Sequence, residues 1–348
     1  MADNKYEVTI GIPVYNVEKY IRTSLESALS QTFQKIEFLI CDDCGKDSSM
    51  NIVKDCQQNH PRGKDIHIVR QAKNMGIGNA RNRLIDEAQG KYLFFMDADD
   101  TITPDAIELL HNAAVRYNAE LVYGSRENVY TQADKEKVVS YIYEAKQFLN
   151  EDDFANYVYQ RYDNIQAQVW NFLIDIDIYR RNHLRFEDLN FWEDFMMTMD
   201  LPTYVTRVVT LPTVTYHYYC RNGSLSNFQK RDFISKDEIM HVAHSLTKLK
   251  DGSNRIRHKS YFSLRMKKLM TTSFYVVCTV FRQHSVITPP VTNRELRDMM
   301  SCPLTLRDIL HFRQARLSNL MLYILGVLPP FFSVFLMERI GKAKGLVT

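Results

Sequence analysis

Residues 92–100 read Tyr-Leu-Phe-Phe-Met-Asp-Ala-Asp-Asp, an apolar run that ends in three carboxylates within four positions. Such a run is the pattern of a buried strand that delivers negative charge at its own carboxyl end. Carboxylates this close repel one another and lose hydration, and a hard divalent cation is what most readily stabilises them. The segment therefore predicts an α/β sheet with a Mg²⁺ or Mn²⁺ site at its edge. A solvated acidic turn capping the helix that begins near Pro104 is the other reading.

The surrounding pattern favours the sheet. Apolar strands at residues 8–14, 36–41, 66–69, 92–96 and 121–123 alternate with amphipathic helices at 18–31, 48–58, 78–88 and 104–117. Strands apolar throughout and each followed by a helix predict a mostly parallel sheet covered on both faces, with ligands beyond the strands' carboxyl ends. Polar residues do fall at three of those ends: Pro13-Val-Tyr15-Asn16, Asp42-Asp43 and Asp97-Ala98-Asp99-Asp100. Residues 126–168 are polar and Tyr-rich, with a helix expected near 152–162. Two β-like runs, 205–211 and 213–219, close the first half, and helices dominate from about 232.

Charge divides the 348 residues. Residues 1–227 hold 24 Lys and Arg against 33 Asp and Glu, a net −9, whereas 228–348 hold 20 against 8, a net +12. The acidic half suits a metal-dependent site. The basic half suits an anionic surface, nucleic acid or the cytoplasmic leaflet of a membrane. The six cysteines lack paired metal-ligand spacing and read as free thiols. The N-terminus is polar without a secretory signature, so the expected location is cytoplasmic.

Together, Ile12-Pro-Val-Tyr-Asn16, Cys41-Asp-Asp43 with Asp47-Ser-Ser49, Asn74-Met-Gly-Ile-Gly-Asn-Ala-Arg-Asn82, Asp97-Ala-Asp-Asp100 and Glu193-Asp194 resemble the family 2 glycosyltransferases of the GT-A fold, of the bacterial polysaccharide type, over residues 6–227. The resemblance implies a catalytic domain at 1–227, with a nucleotide-sugar half to about 125 and an acceptor half beyond it. A basic helical extension follows at 228–348. It implies that Pro13, Tyr15, Asn16, Asp42, Asp43, Asn74, Gly76, Arg81, Asp97 and Ala98 bind the nucleotide sugar, with Arg81 near the diphosphate or in a surface salt bridge. Asp99, with His217 as a second candidate, would hold Mn²⁺ or Mg²⁺, which stabilises the departing diphosphate more than the ground state. Asp100 is expected to cap a helix. Asp194 matches the general base, since an acceptor hydroxyl must lose its proton as it attacks the anomeric carbon, and apolar neighbours raise its pKa toward working pH. The alternative for Glu193 and Asp194 is a pair of acids favoured at a helix start. Trp170, Trp192, Glu193, Arg221 and Ser224 are candidates for acceptor or diphosphate contacts.

Residues 317–337 carry no charge across 21 positions, but Pro329-Pro330 interrupts them, and Arg313 and Arg316 before and Arg339, Lys342 and Lys344 after make both ends basic. This predicts a membrane-associating segment at 303–340: a surface-lying amphipathic helix at 304–316, then a re-entrant or interfacial hairpin on the inner face of the cell membrane. A helix pair packed on the catalytic unit is the alternative. No reader of nucleic acid beyond the nucleotide is recognisable.

The expected activity is inverting transfer of a sugar from a nucleotide-diphospho-sugar, UDP favoured, to a hydroxyl of a glycan or lipid-linked acceptor. A catalytically inactive nucleotide-sugar-binding module and a sugar-nucleotide pyrophosphorylase are the rivals. The latter calls for a Gly-rich basic loop after the first strand, where Tyr15-Asn-Val-Glu18 stands.

Overall fold

Strands β1 (Val8–Val14) and β2 (Ile36–Asp42) are buried on both faces almost without interruption, which forces helices onto each side of the sheet they begin. The chain is described by a computed structural model over residues 5–132, 135–160, 165–189, 192–221 and 232–347. It divides into two units, Met1–Phe154 with Gln166–Ser224, and Ala155–Ile165 with Leu225–Thr348.

In the first unit, α1 (Ile21–Leu29), α2 (Ser49–Asn59), β3 (Ile66–Arg70), α3 (Ile77–Glu87), β4 (Tyr92–Phe95), β5 (Thr101–Ile102) and α4 (Ala106–Tyr117) continue the alternation. Strands β6 (Leu121–Gln132), β7 (Lys135–Tyr141) and β8 (Lys146–Phe148) follow, then, after α5 (Asp153–Gln160), which belongs to the second unit from Ala155 onward, β9 (Phe172–Asp175), α6 (Asp177–Arg181), α7 (Glu193–Asp200) and β10 (Val208–Cys220). One sheet runs β3-β2-β1-β4-β9-β6-β10-β5, with β7 on β6 and β8 on β10. Pairing is parallel across β3-β2-β1-β4. Beyond β4 it turns mixed: β9 lies antiparallel to both neighbours, while β6 and β10 are parallel to each other.

The chain winds outward from β1 through β2 to β3 and returns to place β4 on β1's other side. That reversal opens a crevice beyond the carboxyl ends of β1, β2 and β4, where the loop residues diverge. Within the polar, Tyr-rich stretch β6 and β7 form a hairpin, and the helix expected near 152–162 is α5. The two β-like runs near 208–220 are one strand, whose register shifts between Thr210 and Tyr216 let exposed Pro212 pass without donating a ladder bond.

The second unit is helical: α8 (Lys236–Gly252), α9 (Phe262–Arg282), α10 (Asn293–Met299), α11 (Leu306–Leu310), α12 (Arg316–Val327) and α13 (Pro330–Ala343), with β11 (Ile234–Ser235) paired to β12 (Ile287–Thr288). One expectation is corrected here. The amphipathic helix at 304–316 shrinks to five-residue α11, held at its start by a capping box of Thr305 and Asp308. The 317–337 segment is broken at the prolines as expected, into two helices parted at Leu328-Pro329, and among the described residues no helix is long and apolar enough to cross a membrane. All six cysteines are free thiols.

Candidate active site

The loops after β1 and β2 are knitted together by the very side chains that the sequence marks. Asn16 adopts φ 51° and accepts a hydrogen bond from the Lys46 amide at 2.7 Å through Oδ1. Gly45 lies so close that an added Cβ would stand 2.9 Å from the Asn16 nitrogen. Asp42 accepts from the Cys44 amide at 2.9 Å. Asp43, 3% exposed, receives the amides of Met75 (2.8 Å) and Gly76 (3.1 Å) on its two oxygens. Gly76, at φ 85°, starts α3, and the Asn74 side chain accepts its amide as well. Burial pushes the Asp43 carboxyl up, and the two amides oppose this. Tyr15 is 43% exposed at the same edge, beside Pro13 at the end of β1.

Three acids leave β4 in three directions. Asp97 accepts from Arg81 Nη2 at 3.1 Å, and its amide donates to the Tyr216 hydroxyl. Asp99, the most open of the three, accepts from Arg221 Nη1 at 2.6 Å, and the Arg221 guanidinium lies 3.9 Å from the Tyr20 ring centre. Asp100 is fully buried, accepting from the Tyr216 hydroxyl and the Tyr219 amide, each at 2.9 Å. It does not cap α4. It ties the turn after β4 to β10, and burial holds its carboxyl well above the usual carboxylate range. Ala98 is turned into the hydrophobic core.

Helix α7 begins at the Glu193-Asp194 pair, after Trp192 in the left-handed region at φ 72°. Both acids reach Arg81 Nη1: Glu193 at 3.0 Å, Asp194 in a very short contact. Burial, opposed by the Arg81 guanidinium and reinforced by Glu193 and Asp97, raises the Asp194 carboxyl well above its ordinary value. Arg81 is 1% exposed and grips Asp97, Glu193 and Asp194 together, so the alternative of a surface salt bridge is overturned, and its charge is already shared among three carboxylates.

Other candidates fall elsewhere. Trp170, 2% exposed, stacks on Tyr216 at 4.5 Å and Tyr218 at 5.2 Å, which makes it a core residue and removes it as an acceptor contact. Trp192 is half-buried beside Phe195. His217 faces Thr101 at 3.4 Å and Glu127 at 3.7 Å. Among the described residues no three His, Cys, Asp or Glu side chains group around one ion position. Ser224 lies outside the described residues. The sequence reading passed over Tyr216, whose hydroxyl joins Asp97 to Asp100. It also missed Asn171, which at φ 63° bonds the Gly124 and Ser125 carbonyls and Thr215. A Tyr beside the singled-out His217 was the available signal for the first.

Residues 9–196 match the sequence profile described as glycosyl transferase family 2. The chain is 30% identical over 233 residues to the glycosyltransferase GlyA of Streptococcus pneumoniae, covering 65% of this chain and 32% of that protein. Over 102 residues it is 43% identical to the chondroitin synthase of Escherichia coli, covering 29% and 14%. It thus spans a third or less of the length of these two relatives. In fold it is similar to residues 1–349 of Staphylococcus aureus TarS, solved in complex with UDP-GlcNAc, with a TM-score of 0.58 at 18% identity over 97% of this chain and 92% of that one. The architecture is accordingly the expected GT-A type, and with its profile match running from β1 into the Glu193-Asp194 helix the chain belongs to glycosyl transferase family 2.

Proposed function

We propose that the chain transfers a sugar, with inversion, from a nucleotide-diphospho-sugar to a hydroxyl of a glycan or lipid-linked acceptor in cell-surface polysaccharide synthesis. The observation that carries this reading is the meeting of the Asp97 and Asp194 carboxylates on one guanidinium at the sheet edge that also bears Asp43 and Tyr15. In this reading Tyr15, Asn16 and Asp43 border the base and ribose, and Asp194 takes the acceptor's proton. The oxygen then bonds to the anomeric carbon as the nucleoside diphosphate departs. A UDP-sugar is favoured because the similarly folded TarS is described in complex with UDP-GlcNAc.

The donor set fits a hard divalent cation. Mg²⁺ and Mn²⁺ accept one or two carboxylates and take their remaining ligands from phosphates and water, and Asp99 is an open carboxylate with Arg221 as a second positive group beside it. Asp99 would hold the ion, with His217 as the second candidate, and the ion would supply charge stabilisation to the leaving diphosphate. Arg221 would act on the same charge.

The inner membrane surface is the proposed location. In the second unit Leu317, Met321, Ile324, Val327, Phe331, Phe332, Phe335 and Leu336 of α12 and α13 are exposed, and Arg313, Arg316, Arg339, Lys342 and Lys344 flank them. Aliphatic and aromatic side chains ringed by cations suit an interfacial hairpin on anionic lipid.

Replacing Asp194 by Asn tests the enzymatic reading. A positioned general base contributes about 10²–10⁴ in rate, so transfer should fall by that factor while thermal stabilisation by UDP or a UDP-sugar persists. Undiminished transfer would remove Asp194 from the mechanism, and a variant that binds as before from a parent that never transfers would leave a binding module.

A further inference from the structure

We propose that Arg81 is the positioning residue of the transfer step: its guanidinium holds the Asp194 carboxylate on one arm and donor-side Asp97 on the other, and so fixes the separation of base and donor. The inference rests on the reading of Asp194 as base and goes beyond it. Arg81 sits on α3, the helix whose start hangs from Asp43 through the Met75 and Gly76 amides. One rigid element therefore links the loop after β2, the acids after β4 and the first turn of α7.

Stability alone does not account for this arrangement. Three carboxylates around one cation leave two negative charges in excess in a buried place, and such clusters are often no more stable than apolar packing of the same volume. Among the described residues Arg81 Nε is buried without a partner, and so is the Tyr179 hydroxyl of α6, whose ionisation responds to both Arg81 and Asp194. Each such orphan weakens the fold. A planar fork explains what a simple counter-ion would not: Nη1 serves the α7 pair and Nη2 serves Asp97.

Among the described residues the charges facing Asp194 are Arg81 from α3, Glu193 from its own helix and Asp97 after β4, with the neutral Tyr179 from α6. Arg81 is the one cation among them. Its removal makes Asp194 harder to ionise, and since a base must be ionised to act, the loss should be greatest at low pH and shrink as pH rises.

The test compares Arg81→Gln, Arg81→Lys and Asp194→Asn in steady-state transfer across pH, with donor KM and nucleotide-dependent thermal stabilisation recorded alongside. For Arg81→Gln we expect kcat to fall about 10²-fold near neutrality, donor KM to change little, and the acid limb of the rate profile to move to higher pH. Arg81→Lys keeps the charge but not the fork, so it should restore the limb's position and only part of kcat. A loss of the same factor at every pH, or wild-type kcat in Arg81→Lys, overturns the inference. If Arg81→Gln does not fold, Arg81→Lys decides by its kcat: tenfold or more below wild type with KM kept supports the role, and a smaller loss overturns it. Active Asp194→Asn would instead sink the base assignment, whichever way the Arg81 variants behave.

Discussion

Lys250 of α8 is completely buried, and its ammonium donates to the carbonyls of Ser301 (2.7 Å) and Met299 (3.1 Å) and to the Ser273 hydroxyl (3.4 Å). Burial lowers its pKa to about 8 from the ordinary 10.5, with Cys302 and Asp251 opposing weakly. The gap between these values corresponds to about 3 kcal/mol, at about 1.4 kcal/mol for each tenfold change in proton affinity. Between pH 8 and 10.5 the unfolded chain binds more protons than the folded one, so stability rises with pH through that window. Below pH 8 the full penalty of burying the cation is present. Lys250→Met abolishes this dependence, at the cost of leaving two carbonyls and a hydroxyl without their donor, about 1–3 kcal/mol for such groups. The variant's stability at pH 7 is therefore a near balance, but the response to pH is not. From pH 7 to 10 the wild type should gain about 2.5 kcal/mol over the variant, because every other titrating group cancels in the comparison. Both tryptophans, Trp170 and Trp192, belong to the first unit, so the assay is denaturant unfolding followed by far-ultraviolet circular dichroism with amide exchange in α9. Parallel pH responses in the two proteins would refute the reasoning.

Three further outcomes are expected. Asn171→Ala removes the donor to the Gly124 and Ser125 carbonyls and the acceptor of the Thr215 hydroxyl, leaving only the long 3.4 Å contact of Thr215 with Ser125, and puts Ala at φ 63°, so tryptophan fluorescence should report a loss of about 3–5 kcal/mol in the first unit; a loss under about 1 kcal/mol would mean that the clasp is dispensable. Chelation with EDTA should stop transfer and Mn²⁺ or Mg²⁺ restore it, with Asp99→Asn needing at least about tenfold more ion for half activity; activity that ignores EDTA would rule out the cation. Phe331→Ser with Phe332→Ser, at positions 68% and 59% exposed, should leave folding intact yet lower sedimentation with anionic vesicles by about 10²-fold, given about 1.5–3 kcal/mol per buried side chain. Unchanged sedimentation, or self-association of the wild type through this face without lipid, would assign the hairpin another role.

Much of the sheet was legible because its signals are local. A strand buried on both faces reads as an apolar run, and a carboxylate inside it needs a buried partner, as Glu37 of β2 has in Thr9 and His67, so the crowded pairs Asp42-Asp43 and Asp97-Asp100 mark carboxyl ends. Residues 126–227 were less legible. The β6–β7 hairpin is half exposed and rich in Tyr and Lys, which blurs its period, and β10 hides its continuity behind a bulge at Pro212. The tail was legible in its composition and in its break, since Pro329-Pro330 parts α12 from α13, but not in the length of α11, which ends after five residues where an amphipathic pattern runs over thirteen.

Sequence by itself determined the alternation of strands and helices, the family and the acids at the strand ends, because period and composition act over a few residues. Tertiary structure alone decided what those acids do to one another. Arg81 and Asp194 are 113 positions apart, and nothing within either segment says that α7 lays its first turn over α3. Asp100 likewise became an anchor for β10 rather than a helix cap when Tyr216 and Tyr219 arrived from more than a hundred residues away. Burial turns a charge into a partner or a liability, and burial is settled by the packing of distant segments.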